Sequence, residues 1–176
     1  MNFLGSVAVY AAICKHEGIP FKFLGNQAGW DIVSDTSNVD LIAEQEIWAA
    51  LDPKGQNEAF NTMNGDVFKW RKVWRSIADK LEVDYVPFDG EEICLSEIMK
   101  DKAPFWEELV LKEKGLHQTK LENVGHWWFL EGTLRVQKDV LMSMNKSKEH
   151  CFLVFQNTEK EILSIFDTMK ARKLIL

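Results

Sequence analysis

The sequence predicts a single α/β unit that is mostly helical and has only a few short strands. Apolar residues recur at helical spacing along most of the chain, whereas three short runs, residues 20–24, 59–62 and 83–86, have the composition of strands. Three short strands are too few for a self-standing parallel sheet. A chain of 176 residues with 46% hydrophobic content is nevertheless long enough to bury one core.

The first element is predicted to be a buried helix near residues 3–17 that ends at Gly18. Its sequence, FLGSVAVYAAIC, is an apolar run without the basic flank of a signal peptide. The run is also shorter than the roughly 20 residues that a membrane-spanning helix needs. Five of its residues share one helical face: Leu4, Val7, Ala8, Ala11 and Ala12. A strand at 20–24 and a loop at 25–35 follow.

Residues 40–74 predict a unit of helix, turn, short strand, turn and helix. Ser37 and Asp40 form a capping-box pattern ahead of the first helix, and residues 52–55, Asp-Pro-Lys-Gly, stop it. The expected apolar face of this helix is Val39, Ala43, Ile47 and Ala50. The strand is expected at 59–62.

The second helix of this unit is predicted after Asn64-Gly65-Asp66, which is expected to turn the chain and cap that helix. Its apolar stripe consists of Trp70, Val73, Trp74, Ile77 and Leu81. Such a stripe is typical of a helix packed on a core rather than of a cofactor-binding segment.

The remainder of the chain is predicted to be mainly helical. After the strand at 83–86, helices are expected at 95–99 and 104–114, with Pro104 in the first helical position and Gly115 past the last. No repeat, low-complexity tract or linker divides the chain, so residues 1–176 are treated as one unit.

Two further capping-box patterns indicate helix starts near the end of the chain. Thr119 with Glu122 opens a segment that leads into Trp127-Trp128-Phe129, and Thr158 with Glu161 opens the closing helix. The apolar face of the closing helix is Ile162, Ile165, Phe166 and Met169.

Composition excludes several classes of function. The net charge of −6 argues against non-specific nucleic-acid binding, which requires a basic face. Three scattered cysteines argue against a disulfide framework and favour a reducing, cytoplasmic location. The neighbouring pairs Cys14/His16 and His150/Cys151 lack zinc-ligand spacing, so no metal site is expected.

Three strings in the chain carry a family resemblance: VYAAICKHEGIPF at 9–21, the segment at 40–74, and SMNKSKEH at 143–150. With these strings in this order, the chain resembles the plant progesterone 5-beta-reductase/iridoid synthase family. The resemblance extends over all 176 residues but only to the C-terminal half of the family. It implies the substrate-domain portion of a Rossmann-type extended short-chain dehydrogenase/reductase, with the N-terminal NADP-binding half absent.

The residues of a complete reductase are missing from the sequence. No glycine is followed by another three residues later, so neither GxGxxG nor GxxGxxG occurs. Cys14 lies four residues after Tyr10, and Asp89 lies four residues after Tyr85, so no YxxxK pattern occurs. By resemblance, the Tyr and Lys of the family lie upstream. We therefore expect no catalytic residue in this chain and no NADPH binding by the chain alone.

The resemblance also implies residues that line a substrate pocket. Ser34 in WDIVSDTS and Phe129 in GHWWF match pocket-lining positions, and Met1 matches one at the edge. The expected role is shape and apolar contact with an enone. Phe129 is equally typical of a core aromatic, and Ser34 of a loop hydroxyl that bonds to backbone.

The chain departs from the family pattern in two places. Val33 stands where the family tends to have an aromatic residue, and Cys151 and Val154 stand where it usually has glycines. Glycine permits backbone conformations that a β-branched residue resists. The turn after KSKEH is therefore in question.

The leading functional hypothesis is a truncated C-terminal part of an NADPH-dependent enone reductase, resembling 3-oxo-Δ4-steroid 5-beta-reductase or iridoid synthase, that forms a pocket wall and is inactive alone. The alternative is a non-catalytic interaction module whose exposed apolar faces favour a homodimer or pairing with a full-length relative. A third possibility is a decayed gene copy. No nucleic-acid or membrane partner is expected.

Overall fold

The computed structural model describes residues 2–112, 116 and 120–175. Those residues form ten α-helices, and a short 3-10 helix, Pro53–Gly55, follows the third of them. The helices are α1 Phe3–Glu17, α2 Gln27–Asp31, α3 Val39–Leu51, α4 Trp70–Leu81, α5 Leu95–Ile98, α6 Ala103–Lys112, α7 Leu121–Val124, α8 Trp127–Leu134, α9 Asn145–Glu149 and α10 Thr158–Ala171. None of the described helices is long and apolar enough to cross a membrane.

Helix α1 lies at the centre of the main core. It packs against α4, α7, α8 and α10, and nine of its residues are buried. The Asn2 side chain caps its start by accepting a hydrogen bond from the Gly5 N–H (3.0 Å), and Gly18 ends it with φ of 65°. A helix that is apolar on nearly all sides is stable only when surrounded. The predicted buried helix and its glycine stop are confirmed.

An aromatic cluster joins α4 to the segment after α1. The Trp74 ring stacks on Phe21 with centroids 4.8 Å apart and meets the edge of Phe23 at 5.3 Å. Both geometries are favourable for aromatic pairs. All five residues of the predicted α4 stripe are buried, so that prediction is confirmed.

The three predicted strands do not form ladders. In the described part of the chain, β pairing is limited to two isolated bridges, Phe21 with Tyr85 and Ser34 with Phe68. Residues 20–24 and 83–86 therefore meet at one bridge, and 59–62 has none. The reason is that side chains satisfy some of the extended backbone. The Lys22 N–H, for example, donates to the Tyr10 hydroxyl (3.2 Å) rather than to a neighbouring strand.

Helix α3 forms where predicted but turns a different face inward. The expected apolar face is exposed, with Val39 at 71% and Ile47 at 61% of their full accessibility and Ala43 and Ala50 also exposed. The inward residues are Leu41, Gln45 and the half-buried Trp48. Leu41 and Trp48 pack in a small cluster with Met63, Met144 and Phe152, whereas Gln45 Nε2 donates to Ser147 Oγ at 2.8 Å. Leu41 and Trp48 bury more apolar area than two alanines would, so the helix rotates toward them.

The predicted caps of α3 need one correction, whereas its predicted end is confirmed. Asn38 rather than Ser37 is the N-cap, and its Oδ1 accepts from the Asp40 N–H (2.7 Å). The helix ends at Leu51, where Asp52 accepts from the Lys54 N–H (2.9 Å) at the start of the 3-10 turn.

The capping residues predicted for two other helices, α4 and α10, are wrong. Asp66 does not cap α4, which begins at Trp70 without a side-chain cap; it binds Thr158 at the start of α10 instead. The N-cap of α10 is Asn157, not Thr158, and its Oδ1 accepts from the Lys160 N–H (2.9 Å).

The remaining helix predictions agree with the structure within a few residues. The helices predicted at 95–99 and 104–114 are α5 and α6, and the predicted apolar face of α10 packs on the core. The predicted stop at Gly115 and cap at Thr119 lie outside the described residues.

The burial of Cys14 gives a test of this fold. Burial raises the pKa of the Cys14 thiol to about 12, whereas Cys94 and Cys151 are exposed. Because thiolates are the reactive form, iodoacetamide at about pH 8 is expected to alkylate Cys94 and Cys151 quickly and Cys14 only after denaturation. Peptide mass spectrometry of native and denatured samples measures this. Rapid native labelling of Cys14 would contradict the packing of α1, and Cys94→Ser provides a control with one fast site fewer.

Candidate functional site

The main candidate site is a half-open cavity of about 410 Å³ between α1, α4, α10 and the loop before α3. Its volume lies in the range of small-molecule sites, about 300–1,000 Å³. Its apolar lining, here called the apolar wall, includes Phe3, Leu4, Phe68, Trp70, Ile162 and Ile165. Its polar lining, here called the polar wall, includes Ser34, Thr36, Asn38, Asn64, Thr158 and Glu161.

The apolar wall is held by aromatic contacts and one backbone bridge. The Trp70 ring lies 5.4 Å from Phe3 and 5.0 Å, edge-on, from Phe68. The Ser34 N–H donates to the Phe68 carbonyl at 2.8 Å, and the Phe68 N–H donates to the Ser34 carbonyl at 2.9 Å. The bridge therefore fixes the Ser34 backbone beside the apolar wall.

A single buried amide organises the polar wall. Asn64 is 1% exposed, its Oδ1 accepts from the Asn38 N–H (2.7 Å), and its Nδ2 donates to the Thr158 hydroxyl oxygen (2.9 Å). Its backbone N–H donates to the Thr36 carbonyl, and its carbonyl accepts from the Gln156 N–H, both at 2.8 Å. Asn64 thereby joins the segment before α3 to the segment before α10.

The same network continues to two carboxylates. The Thr158 N–H and hydroxyl donate to the two oxygens of Asp66, at 2.9 and 2.5 Å. Asn38 Nδ2 donates to Glu161 Oε2 at 2.7 Å. Connected polar groups of this kind hold a wall in one geometry.

Ion pairs outside the cavity hold α10 against α4. Glu159 Oε2 lies 2.6 Å from Lys72 Nζ, and Glu159 Oε1 accepts from the Ser76 hydroxyl at 2.7 Å. The hydrogen bond from Lys72 and then that from Ser76 lower the pKa of Glu159. Farther along the same two helices, Lys80 Nζ lies 2.5 Å from Asp167 Oδ1. These contacts steady the helix that carries Thr158 and Glu161.

Of the three residues expected to line a pocket, one lines this cavity, one lies outside it, and one is not among the described residues. Ser34 lines the cavity. Phe129 lies half-buried in α8 and outside this cavity, with its carbonyl accepting from the hydroxyl of Thr133, which does line it. Met1 lies outside the described residues. The pocket role of all three stays a prediction.

The polar wall was not foreseen from the sequence. Asn64 and Thr158 were interpreted as turn and cap residues, and Asn38 was not singled out. The local signal at these positions, Asn, Asp and Thr beside helix starts, indicates capping in general. It does not show that the partners come from distant segments.

The two departures from the family pattern have a structural consequence at one position. Cys151 has φ of 74°, in the left-handed region that favours glycine, whereas the φ of Val154 lies outside that region. The turn that glycine would favour is therefore formed with a cysteine in the strained position. Val33 lines the cavity, and its N–H donates to Asp139 at 3.0 Å.

The most closely spaced glycines of the chain do not form a cradle for a dinucleotide phosphate. The closest glycine pair is Gly25 and Gly29, and a Cβ built on either would meet the Leu134 carbonyl, at 2.4 and 1.9 Å. These glycines therefore let α2 pack on the end of α8, and the chain's own backbone fills the space that a phosphate would need. Likewise, no three His, Cys, Asp or Glu side chains in the described ranges are grouped to hold a metal ion.

Sequence comparison finds plant proteins similar to this chain. An (S)-8-oxocitronellyl enol synthase from Camptotheca acuminata is 52% identical over 99% of this chain, which covers 45% of that protein. The 3-oxo-Delta(4,5)-steroid 5-beta-reductase of Arabidopsis thaliana is 47% identical with the same coverages. The resemblance to the progesterone 5-beta-reductase/iridoid synthase family is confirmed.

A further comparison shows how much of its relatives' length the chain covers. An (S)-8-oxocitronellyl enol synthase from Nepeta racemosa is 49% identical over 99% of the chain and is covered to 45%. The chain thus spans less than half the length of the curated relatives it matches, and the matched part is their C-terminal half. No protein-family model matches the chain.

The buried amide at position 64 supports a prediction about stability. Asn64→Ala leaves the Asn38 N–H and the Thr158 hydroxyl without their partner, so we expect a loss of about 2 kcal/mol or more in the free energy of unfolding. Urea denaturation followed by circular dichroism measures the loss. The matched control is Asn61→Ala, an exposed asparagine with one weak side-chain bond of 3.3 Å, expected to cost less than about 1 kcal/mol. Equal losses in the two variants would show that the network does not hold the wall.

Proposed function

We propose that this chain is the substrate-domain part of a Rossmann-type, NADPH-dependent enone reductase. The observation that carries the proposal is the cavity, with an apolar wall anchored by Trp70 and a fixed polar wall centred on Asn64. The names of the relatives, enol synthases and a 3-oxo-steroid 5-beta-reductase, support an apolar enone as the ligand.

The role proposed for the chain is binding and exclusion of water rather than bond making. Phe3, Phe68 and Trp70 offer apolar surface to a terpene- or steroid-like body, and the polar wall sets its orientation. The residues do not fit a dinucleotide, since Gly25 and Gly29 are occupied in packing against Leu134. We therefore assign the nucleotide site and the proton donor to a polypeptide equivalent to the N-terminal half of the relatives.

A fusion experiment tests this function. The isolated chain is expected to show no NADPH oxidation with progesterone, measured by nucleotide absorbance. A fusion of this chain to the N-terminal half of the Arabidopsis reductase is expected to restore turnover, because 47% identity preserves the packing. The N-terminal half alone and the complete Arabidopsis protein serve as controls. Turnover by the isolated chain, or a folded fusion that stays inactive, would refute the proposal.

A second function, a non-catalytic interaction module, is favoured by the exposed face of α3. Val39, Ile47 and Leu51 are 71%, 61% and 78% exposed, and Ala43 and Ala50 lie beside them. Exposed apolar stripes of this kind commonly mark contact surfaces. For this alternative, the partner is a second copy of the chain packed through the same face.

Light scattering after size exclusion distinguishes the two functions. If α3 is a self-association surface, the chain elutes as a dimer at micromolar concentration and Ile47→Glu makes it a monomer with an unchanged melting temperature. Glu46→Lys, an exposed polar change on the same helix, is the control. A monomeric wild-type chain that melts cooperatively would exclude the module, and the reductase proposal would be unaffected.

A further inference from the structure

The polar atoms that line the cavity differ in whether they already have partners. Asn38, Asn64 and Thr158 bond to one another or to adjacent backbone. Glu161 uses only one oxygen in this network, with Oε2 accepting from Asn38. Among the described residues, Glu161 Oε1 has no hydrogen-bond partner, and Lys138 at the exposed rim forms no ion pair with it. One oxygen of Glu161 is therefore available to a ligand. Asp35, which also lines the cavity, likewise uses one oxygen, with Oδ2 accepting from the Met142 N–H at 2.7 Å, but that donor is exposed whereas Asn38 is buried.

The direction of the Asn38 amide fixes which oxygen of Glu161 is available. Asn38 Oδ1 accepts from the Asp40 N–H at 2.7 Å, so its Nδ2 must face Glu161. The Asn38 backbone is itself held by Asn64 at 2.7 Å, and Asn38 is 7% exposed. The donor that holds Glu161 is thus preorganised. Any substituent at position 161 must offer it an acceptor.

We propose that Glu161 is the specificity-determining polar group of this cavity and that it accepts a hydrogen bond from a hydroxyl of an otherwise apolar ligand. This inference rests on the proposed ligand-binding function of the cavity. A carboxylate favours a hydroxyl because the hydroxyl donates. It disfavours a carbonyl at the same place, because two acceptors then face each other without a proton between them. The cavity is therefore selective for hydroxylated steroid- or terpene-like molecules.

A matched pair of steroids tests the selectivity. Testosterone and androst-4-ene-3,17-dione share a skeleton and a 3-oxo enone and differ in a hydroxyl or a carbonyl at one ring carbon. Equilibrium dialysis against the isolated chain is expected to show about tenfold tighter binding of testosterone, the size of one hydrogen bond to a charged acceptor.

The substitution Glu161→Gln is expected to abolish this preference. Asn38 Nδ2 still requires an acceptor, so the new amide turns its oxygen toward Asn38 and its NH₂ toward the cavity. The cavity then presents a donor, which a hydroxyl and a carbonyl accept equally well, so the two steroids are expected to bind alike. Glu46→Gln is the matched control, since Glu46 is an exposed carboxylate on α3 that does not line the cavity. It is expected to leave the wild-type ratio unchanged.

The outcomes separate this inference from the function on which it rests. Equal binding of the two steroids by the wild-type chain, or an unchanged ratio in a folded Glu161→Gln variant, overturns the role of Glu161 and leaves the pocket proposal in place. Absence of binding of either steroid overturns both. The wild-type ratio alone is decisive even if the variant does not fold.

Discussion

The geometry of the cavity depends on the hydrogen bonds of one buried side chain, Asn64. Its amide bonds to the backbone before α3 and to the first residue of α10, two segments that are 26 and 94 residues away in sequence. An amide with the same bonds in water would contribute little, but in a buried position the loss of a partner is expensive. The geometry of the polar wall is therefore set by polar pairing rather than by apolar packing.

This polar junction lies where two apolar clusters meet. The main cluster surrounds α1 and includes Trp74 and Phe166, whereas the smaller one holds Leu41, Met63 and Phe152. Asn64 follows Met63 of the small cluster and bonds to Thr158 at the start of α10, which packs on the large one. Since apolar packing has no preferred direction, two such clusters need directional bonds to hold one orientation. A cavity at their boundary is the natural place for a ligand to be recognised.

The elements that could be predicted from the sequence are those whose signal is local. Helices α4 and α10 have apolar stripes of bulky residues and α1 is a continuous apolar run, and these patterns predict their positions. The inward face of α3 was predicted wrongly because periodicity weights Ala43 and Ala50 like larger residues, whereas burial favours Leu41 and Trp48. In the site, Ser34 was reached through a family resemblance. Asp66, Asn64 and Glu161 were missed as parts of one network because their partners are 92, 94 and 123 residues away.

The distribution of exposed apolar residues bears on how the chain meets any larger assembly. Helix α1, the most apolar element, is already enclosed by α4, α7, α8 and α10, so its core requires no further layer. Unpartnered apolar surface instead lies on α3 and on the extended segments 140–142 and 153–155, where Leu153 and Phe155 are more than half exposed. Val140 belongs to both this surface and the cavity lining. A protein layer that covered segment 140–142 would therefore also cover one residue of the cavity lining.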